Sequence, residues 1–280
     1  MASQDRNSPA ISATELARTL GSGRHPLVVD VRRQAAFSAS QHLICGSLYR
    51  PPEHVATWSR ELPDNRPLVV TCVHGHEVSQ TAAAALRAAG FQARYLEGGI
   101  EGWIEAGYPH LRKTELYDGT QATAWVTRAR PKIDRIACPW LIRRFIDPLA
   151  QFHYVPSDQV PAEAHARNAI PFDIPDVTFS HRGETCTFDS MIEDFGLSDQ
   201  ALHRLARIVR GADTSRLDLT AQSSGLYAIS LGLGDLIEDD HALLETGLSL
   251  YDGLYRWQRD LTNETHAWPP KEMARRETAR

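Results

Sequence analysis

The chain has 280 residues, 42% apolar and 23% charged, which fits two folded domains and excludes a disordered or fibrous protein. A net charge of -5 argues against wholesale binding to nucleic acid or an acidic membrane and leaves only local basic patches. No apolar stretch approaches the roughly 18 residues that span a bilayer, and the start Met1-Ala2-Ser3-Gln4-Asp5-Arg6 lacks a basic-then-apolar signal. Cys45, Cys72, Cys138 and Cys186 are widely spaced with no Cys-x-x-Cys pair, the pattern of free thiols in a reducing compartment, so a cytoplasmic location is expected.

In chain order, Ser12-Ala13-Thr14-Glu15 is a capping box that opens a short helix with Leu16, Ala17 and Leu20, ended by Gly21. Residues 26–31 predict a strand reaching Asp30, with Arg32 and Arg33 after it. Residues 67–71 predict a buried strand, residues 80–89 a helix closed by Gly90, and residues 93–96 a third strand. Gly98-Gly99 turns the chain into a short helix over residues 100–104, stopped by Gly107 and Pro109. Strands alternating with helices predict a parallel sheet covered on both faces.

Residues 113–121 are polar and read as a linker. Beyond them the pattern predicts strands at 125–127, 152–155 and 177–179, and helices at 139–146, 201–209, 225–236 and 240–259. The expected fold class is therefore an α/β parallel-sheet domain over residues 1–112 and a mostly α (α+β) domain over 122–262, with a frayed tail at 263–280.

Cys72 is the most informative residue. It ends the 67–71 strand and opens the loop Val73-His74-Gly75-His76-Glu77 before a helix, where unpaired N–H groups and the helix dipole favour negative charge on sulfur or on a bound anion. Together with Asp30-Val31-Arg32 and Leu96-Glu97-Gly98-Gly99-Ile100-x-Gly102-Trp103, this loop makes the first 110 or so residues resemble the rhodanese family. The resemblance implies a nucleophile at Cys72 that takes up sulfane sulfur as a persulfide and passes it to a thiol or cyanide. It also implies substrate contacts from Val73, His74, Gly75, His76, Glu77 and Arg32. Glu77 sets a negative charge against a thiosulfate dianion, offset by His74 and His76 only when protonated, which leaves a small or protein persulfide beside thiosulfate as donor. Cys45, in Ile44-Cys45-Gly46, stands where related sequences place proline and reads as a packing residue or a resolving thiol.

The second half carries blocks of its own: residues 125–147, Ile170-Pro171-Phe172-Asp173-Ile174-Pro175, Phe179-Ser180-His181-Arg182-Gly183-Glu184, Arg207-Ile208-Val209-Arg210-Gly211-Ala212-Asp213 and Asp239-Asp240-His241-Ala242-Leu243-Leu244-Glu245. They resemble the chromate-resistance family of the ChrB type, which implies a role in chromate sensing or resistance. Pro139 suits the first position of a helix, which makes Cys138 the N-cap, a thiol activated by the dipole and by Arg135 and able to receive sulfur from Cys72. Arg128, Arg130, Lys132, Arg135, Arg143 and Arg144 form a cationic stretch that reads as a solvated face or, through Arg135, as an oxyanion site. His181 with Glu184, and His241 with Glu245 on one helix face, offer with Asp213 a nitrogen-and-oxygen set for iron, zinc or manganese. Cys186 reads as packing or as a further ligand.

The leading expectation is a sulfurtransferase-type protein of oxyanion, metal or thiol stress, with a small thiol or protein persulfide as donor and acceptor. The alternatives are a non-enzymatic chromate or metal sensor and a chromate-reducing redox protein. The near-neutral pI and the lack of a helix-turn-helix signature argue against direct DNA reading, and a homo-oligomer stays open.

Overall fold

In the computed structural model, which describes residues 8–63 and 66–264, the chain builds its first unit from seven strands and five helices. These are β1 (Ala10–Ile11), α1 (Ala13–Ala17), β2 (Leu27–Asp30), α2 (Gln34–Ala39), β3 (His42–Ile44), β4 (Ser47–Tyr49), α3 (Val55–Trp58), β5 (Leu68–Thr71), α4 (Glu77–Ala88), β6 (Ala93–Leu96), α5 (Gly99–Glu105) and β7 (His110–Arg112). Five strands pair in parallel in the order β1-β6-β5-β2-β4, and β3 pairs antiparallel with β7. The expected parallel sheet is present.

The central strands β2 and β5 are apolar up to their last residues, Asp30 and Thr71, because both faces are covered. Leu27, Val29, Leu68 and Val70 pack with Ala82, Ala83 and Leu86 of α4 on one face. Val28 and Val69 pack with Leu16, Ile100 and Trp103 on the other. From β2 the chain moves outward to β4, and from β5 it moves the opposite way to β6. The carboxyl ends of β2 and β5 therefore flank the switch point where open α/β sheets hold their ligands.

The second unit comprises β8 (Ala124–Arg128), α6 (Asp134–Leu141), β9 (Gln151–Val155), α7 (Val160–Arg167), β10 (Ile170–Pro171), α8 (Thr187–Asp194), α9 (Gln200–Asp213), α10 (Ala221–Leu236) and α11 (Asp240–Arg256). It is mostly helical with a three-stranded parallel sheet, β10-β8-β9. Two expectations need correction. The helix expected from residue 139 begins at Asp134 and continues past Leu141 as a π-helical turn, Ile142–Ile146. The strand expected at 177–179 reduces to a single bridge between Phe172 and Phe179, because Asp173 and Asp176 adopt positive φ and bend the chain away from the sheet.

The two units share one core. Leu20, Phe37, Leu43, Tyr49 and Leu111 of the first join Trp140, Phe145, Tyr251 and Tyr255 of the second in one buried cluster. Gly46 N–H donates to the Phe145 carbonyl at 2.8 Å, and Arg256 and Arg259 donate to the carbonyls of Ala17, Arg18 and Leu20 at the end of α1. The 113–121 segment is packed as well: the Tyr117 hydroxyl donates to the Ser47 carbonyl at 3.0 Å, and the Gly119 carbonyl accepts from Tyr49 N–H at 2.8 Å. The start expected to lack a signal (residues 1–6) and the tail from residue 265 onward lie outside the described residues.

His25 sits in this interface, buried, with Nδ1 2.9 Å from Thr19 Oγ1 and Nε2 without a partner among the described residues. Burial and then the cations Arg66 and Arg144 hold its pKa down at about 3. The unfolded chain takes a proton near pH 6.5 that the native chain refuses, so stability is full above that pH and falls as pH drops from it toward 3. His25→Gln should flatten the decline by up to about 1.4 kcal/mol per pH unit. Urea midpoints at pH 7.5, 6.5 and 5.5 check this, and parallel slopes for the two proteins would refute it.

Candidate functional site

Cys72 follows β5, and its side chain is 6% exposed in the loop that leads into α4. The thiol donates to Ser79 Oγ at 3.2 Å, and Ser79 gives its own proton to the His76 carbonyl at 3.1 Å. The carbonyls of Cys72 and Val73 accept from Ile100 N–H at 2.9 Å and Glu101 N–H at 3.1 Å. These bonds turn the loop carbonyls toward α5. Among the described residues the N–H groups of Val73, His74, Gly75, His76 and Glu77 donate to no protein acceptor. They form the open donor set that an anion on sulfur requires.

The shape of this cradle depends on two glycines. A Cβ on Gly75, at φ +73°, would lie 2.8 Å from Gly98 N, and one on Gly99, at φ +59°, would lie 2.6 Å from Gly75 N. Only glycine combines that approach with left-handed backbone. Glu77 is the first residue of α4 and exposed, so its charge lies at the outer edge of the loop and suits the helix start. His74 is exposed and its Nδ1 faces Glu101 Oε2 at 3.2 Å, while the His76 ring lies 5.7 Å from that of His74.

Arg32 needs correction as a substrate contact. It is 2% exposed, its Nε donates to both Asp30 oxygens at 3.0 and 2.8 Å, and its Nη2 donates to the His42 carbonyl at 3.0 Å. The guanidinium is consumed in bracing the end of β2.

The thiol at Cys138 also differs from expectation. Cys138 is an interior residue of α6, fully buried, and burial followed by the nearby Asp134 and Asp173 pushes its pKa well above the ordinary thiol value. It is neither an N-cap nor an activated acceptor of sulfur. Cys45 and Cys186 are likewise buried with raised pKa values, first through burial and then through nearby aspartates.

A second constellation lies in the second unit. His181 Nε2 is 3.0 Å from Asp213 Oδ2, 3.6 Å from Asp173 Oδ1 and 3.8 Å from Asp134 Oδ2. Asp134 opens α6, Asp173 follows β10, His181 precedes the turn at Gly183, and Asp213 closes α9. Asp173 Oδ2 faces Arg128 and Arg135 at 3.3 Å each, while Oδ1 accepts from Thr187 Oγ1 at 2.9 Å. Asp134 Oδ2 accepts from Thr187 N–H at 2.6 Å, and Asp134 Oδ1 is buried with no partner among the described residues. Burial and then Asp213 and Asp173 raise the Asp134 pKa well above the carboxylate range. Hydrogen bonds to Asp173 and Asp213 lift His181 to about 10.

Of the expected ligands, His181 and Asp213 meet here, and Glu184, His241 and Glu245 do not. Glu184 is 86% exposed beside Arg216 because the turn at Gly183 carries it outward. His241 and Glu245 do share a face of α11, but that face meets Tyr154 and Arg143: the His241 and Tyr154 rings are 5.6 Å apart, and Glu245 pairs with Arg143. Arg135 as a free oxyanion ligand is corrected too, since it bonds Asp173 and the carbonyls of Arg128 and Ala129. Asp134 and Asp173 were missed. Their only sequence signal is an aspartate set inside an apolar block, Ile133-Asp134 and Phe172-Asp173-Ile174.

Comparison with known proteins agrees with this division. Residues 12–106 match the family model of the rhodanese-like domain, and residues 125–258 match that of the ChrB C-terminal domain. Protein ChrB of Cupriavidus metallidurans is 34% identical over 173 residues, which cover 59% of this chain and 51% of that protein, so the chain spans about half of its length. Thiosulfate sulfurtransferase GlpE of Pseudomonas syringae is 40% identical over 78 residues, covering 28% of this chain and 71% of that one. The crystal structure of a rhodanese-related protein from Thermoplasma volcanium is 28% identical, with a TM-score of 0.32, covering 36% of this chain and 95% of that one. Through its first unit the chain belongs to the rhodanese-like family, and its second unit is a ChrB C-terminal domain.

Proposed function

We propose that the first domain is a sulfurtransferase that carries sulfane sulfur as a persulfide on Cys72, in the service of chromate, other oxyanion or metal stress. The observation that supports this best is the run of N–H groups from Val73 to Glu77 with no acceptor among the described residues, next to a cysteine whose carbonyl, like that of Val73, is held by α5. The GlpE relatives are thiosulfate sulfurtransferases, and the ChrB relative gives the chromate-resistance context. In the reaction, the Cys72 thiolate attacks the outer sulfur of a donor persulfide R–S–SH. The donor S–S bond breaks, R–S⁻ leaves, and Cys72–S–SH forms. An acceptor thiolate then attacks the terminal sulfur, forms a new persulfide and returns Cys72 as thiolate, with no net oxidation. The backbone N–H groups stabilise the terminal sulfur as an anion, and Ser79 rotates its hydroxyl toward the Cys72 sulfur.

Cys72→Ser should abolish the gain of one sulfur atom seen by intact-mass analysis after incubation with a persulfide donor, and lower transfer by at least about 1000-fold. Full transfer by that variant, from thiosulfate and persulfide donors alike, would exclude the proposal. Gly99→Ala should lose about 1–3 kcal/mol of stability from left-handed strain and crowding, together with most transfer, read by urea unfolding and the same mass assay.

The donor is further marked by Glu77. Glu77→Gln should raise kcat/KM for thiosulfate about two- to fivefold, the worth of one screened charge near a dianion, and leave a small persulfide donor without carboxylates less affected. Equal change for both donors would show that Glu77 does not discriminate by charge.

A further inference from the structure

Among the described residues no hydrogen bond or ion pair links the His181 constellation to the Cys72 loop, and the atoms of the constellation are arranged around a point. Carboxylates from three separate segments, Asp134, Asp173 and Asp213, each bring an oxygen within 3.0 to 3.8 Å of one imidazole nitrogen. Metal–ligand bonds of roughly 2.1 Å set neighbouring donor atoms about 3–4 Å apart, the same spacing. One ligand atom each from Asp134, Asp173 and His181 already lies within 4.8 Å of the others.

The cluster alone would also describe an ion-pair network, and the unpartnered oxygen decides between the two. Asp134 is 0% exposed, its Oδ2 bonds the N–H groups of Thr187 and Phe188, and its Oδ1 has no partner among the described residues. The Oδ2 of the same carboxyl is 3.8 Å from His181 Nε2, which places the whole group inside the constellation. An unsatisfied buried carboxylate oxygen is costly and calls for a partner. The two arginines do not supply it, because both face Asp173 Oδ2 on the far side from His181. The arginines answer Asp173, which leaves one imidazole for Asp134 and Asp213. Neither it nor the arginines bonds Asp134 Oδ1; a divalent cation among these oxygens supplies that bond. His181, 42% exposed, leaves a path from solvent.

We propose that Asp134, Asp173, His181 and Asp213 bind one divalent first-row cation. Three hard carboxylate oxygens with one imidazole, and no thiolate, select manganese(II) or iron(II) over softer ions. Asp173 bridges outward to Arg128 and Arg135, which fix its orientation and ligand strength in the manner of outer partners at metal sites. The site stands apart from Cys72, so its failure and that of sulfur transfer are separable.

The test uses full-length protein, stripped with chelator and titrated with manganese(II) chloride, with unbound manganese followed by its electron paramagnetic resonance signal. One manganese per chain is expected, with a thermal midpoint that rises with manganese concentration. Asp134→Asn and His181→Ala should each weaken binding by about 100-fold or more, while Glu184→Gln and Glu245→Gln leave it unchanged. The His181 side chain is half-exposed, so His181→Ala tests the site even if Asp134→Asn misfolds, and it should keep persulfide formation on Cys72. No stoichiometric uptake of manganese(II), or of iron(II) under anaerobic conditions, would overturn the proposal. Uptake of zinc alone, or uptake unaltered in His181→Ala, would do the same.

Discussion

Asp252 of α11 accepts four hydrogen bonds that tie the molecule together: from the Trp140 indole at 2.8 Å, from Arg144 Nε at 2.8 Å and Nη2 at 3.1 Å, and from the backbone N–H of Gly23 in the first domain at 2.9 Å. Hydrogen bonds to a charged group are worth about 1.5–3 kcal/mol each, and a buried indole N–H left without its acceptor would cost a comparable amount. Trp140 then fixes the aromatic core, with Phe145, Phe188, Tyr251 and Tyr255 all within 6.2 Å by ring centroids. Tyr255 in turn covers Gly21, at φ +70°, where any Cβ would strike its ring. One carboxylate thus links α6, α11 and the sheet domain, beside the bonds that Arg256 and Arg259 make to the end of α1.

The position of α6 matters because it carries Asp134, and that helix begins under strain. Ile133 has φ 42° and ψ -96°, a conformation that β-branched residues avoid. Its carbonyl accepts from the buried Tyr251 hydroxyl at 3.1 Å and from Ala137 N–H at 2.7 Å, so the surroundings hold the strained peptide in place. Gly247 lets α11 approach Ile136 closely enough for the Tyr251 bond. Farther along, Pro139 has no N–H for the Arg135 carbonyl, and Tyr154 of β9 donates to that carbonyl at 3.1 Å instead. A proline inside a helix costs about 3 kcal/mol when its freed carbonyl is left bare. Here a neighbouring strand takes over the missing bond.

That substitution explains what was legible in the chain. The Cys72 loop could be read because its elements follow one another within thirty or so residues: strand, cradle, helix, strand, glycine turn. Local rules act at that range, and they placed β5, α4 and β6 to within a few residues. Pro139 misled because the rule for a first-turn proline is local, while the hydroxyl that makes an interior proline tolerable comes from β9. The carboxylates failed for a related reason. His241 and Glu245 do share a helix face as their spacing requires, yet spacing says nothing of where the face points. Asp134 and Asp173 converge only through the packing of α6 against α8 and the bend at positive φ after β10. Arg32 was misjudged because a cation next to a site reads as a ligand until its burial against Asp30 is known.

The four thiols show how far burial separates similar chemistry. Cys45, Cys138 and Cys186 are all 0% exposed, and burial with nearby aspartates raises their pKa values, which favours the inert thiol. Cys72 also packs on the core of its sheet, but its sulfur ends in a loop whose N–H groups are free to meet an anion. A relay of sulfur from Cys72 to another cysteine of the folded chain would require opening a close-packed interior, at a cost of several kcal/mol. Under the proposed sulfur transfer, an acceptor that avoids that cost is a thiol arriving from solution at the mouth of the loop. What joins the two domains is their shared core, the Asp252 bonds, the Gly46 to Phe145 bond and the Arg256 and Arg259 bonds to the end of α1. Under the proposed chemistry a coupling between them would then be a change of position or stability rather than a transferred sulfur atom.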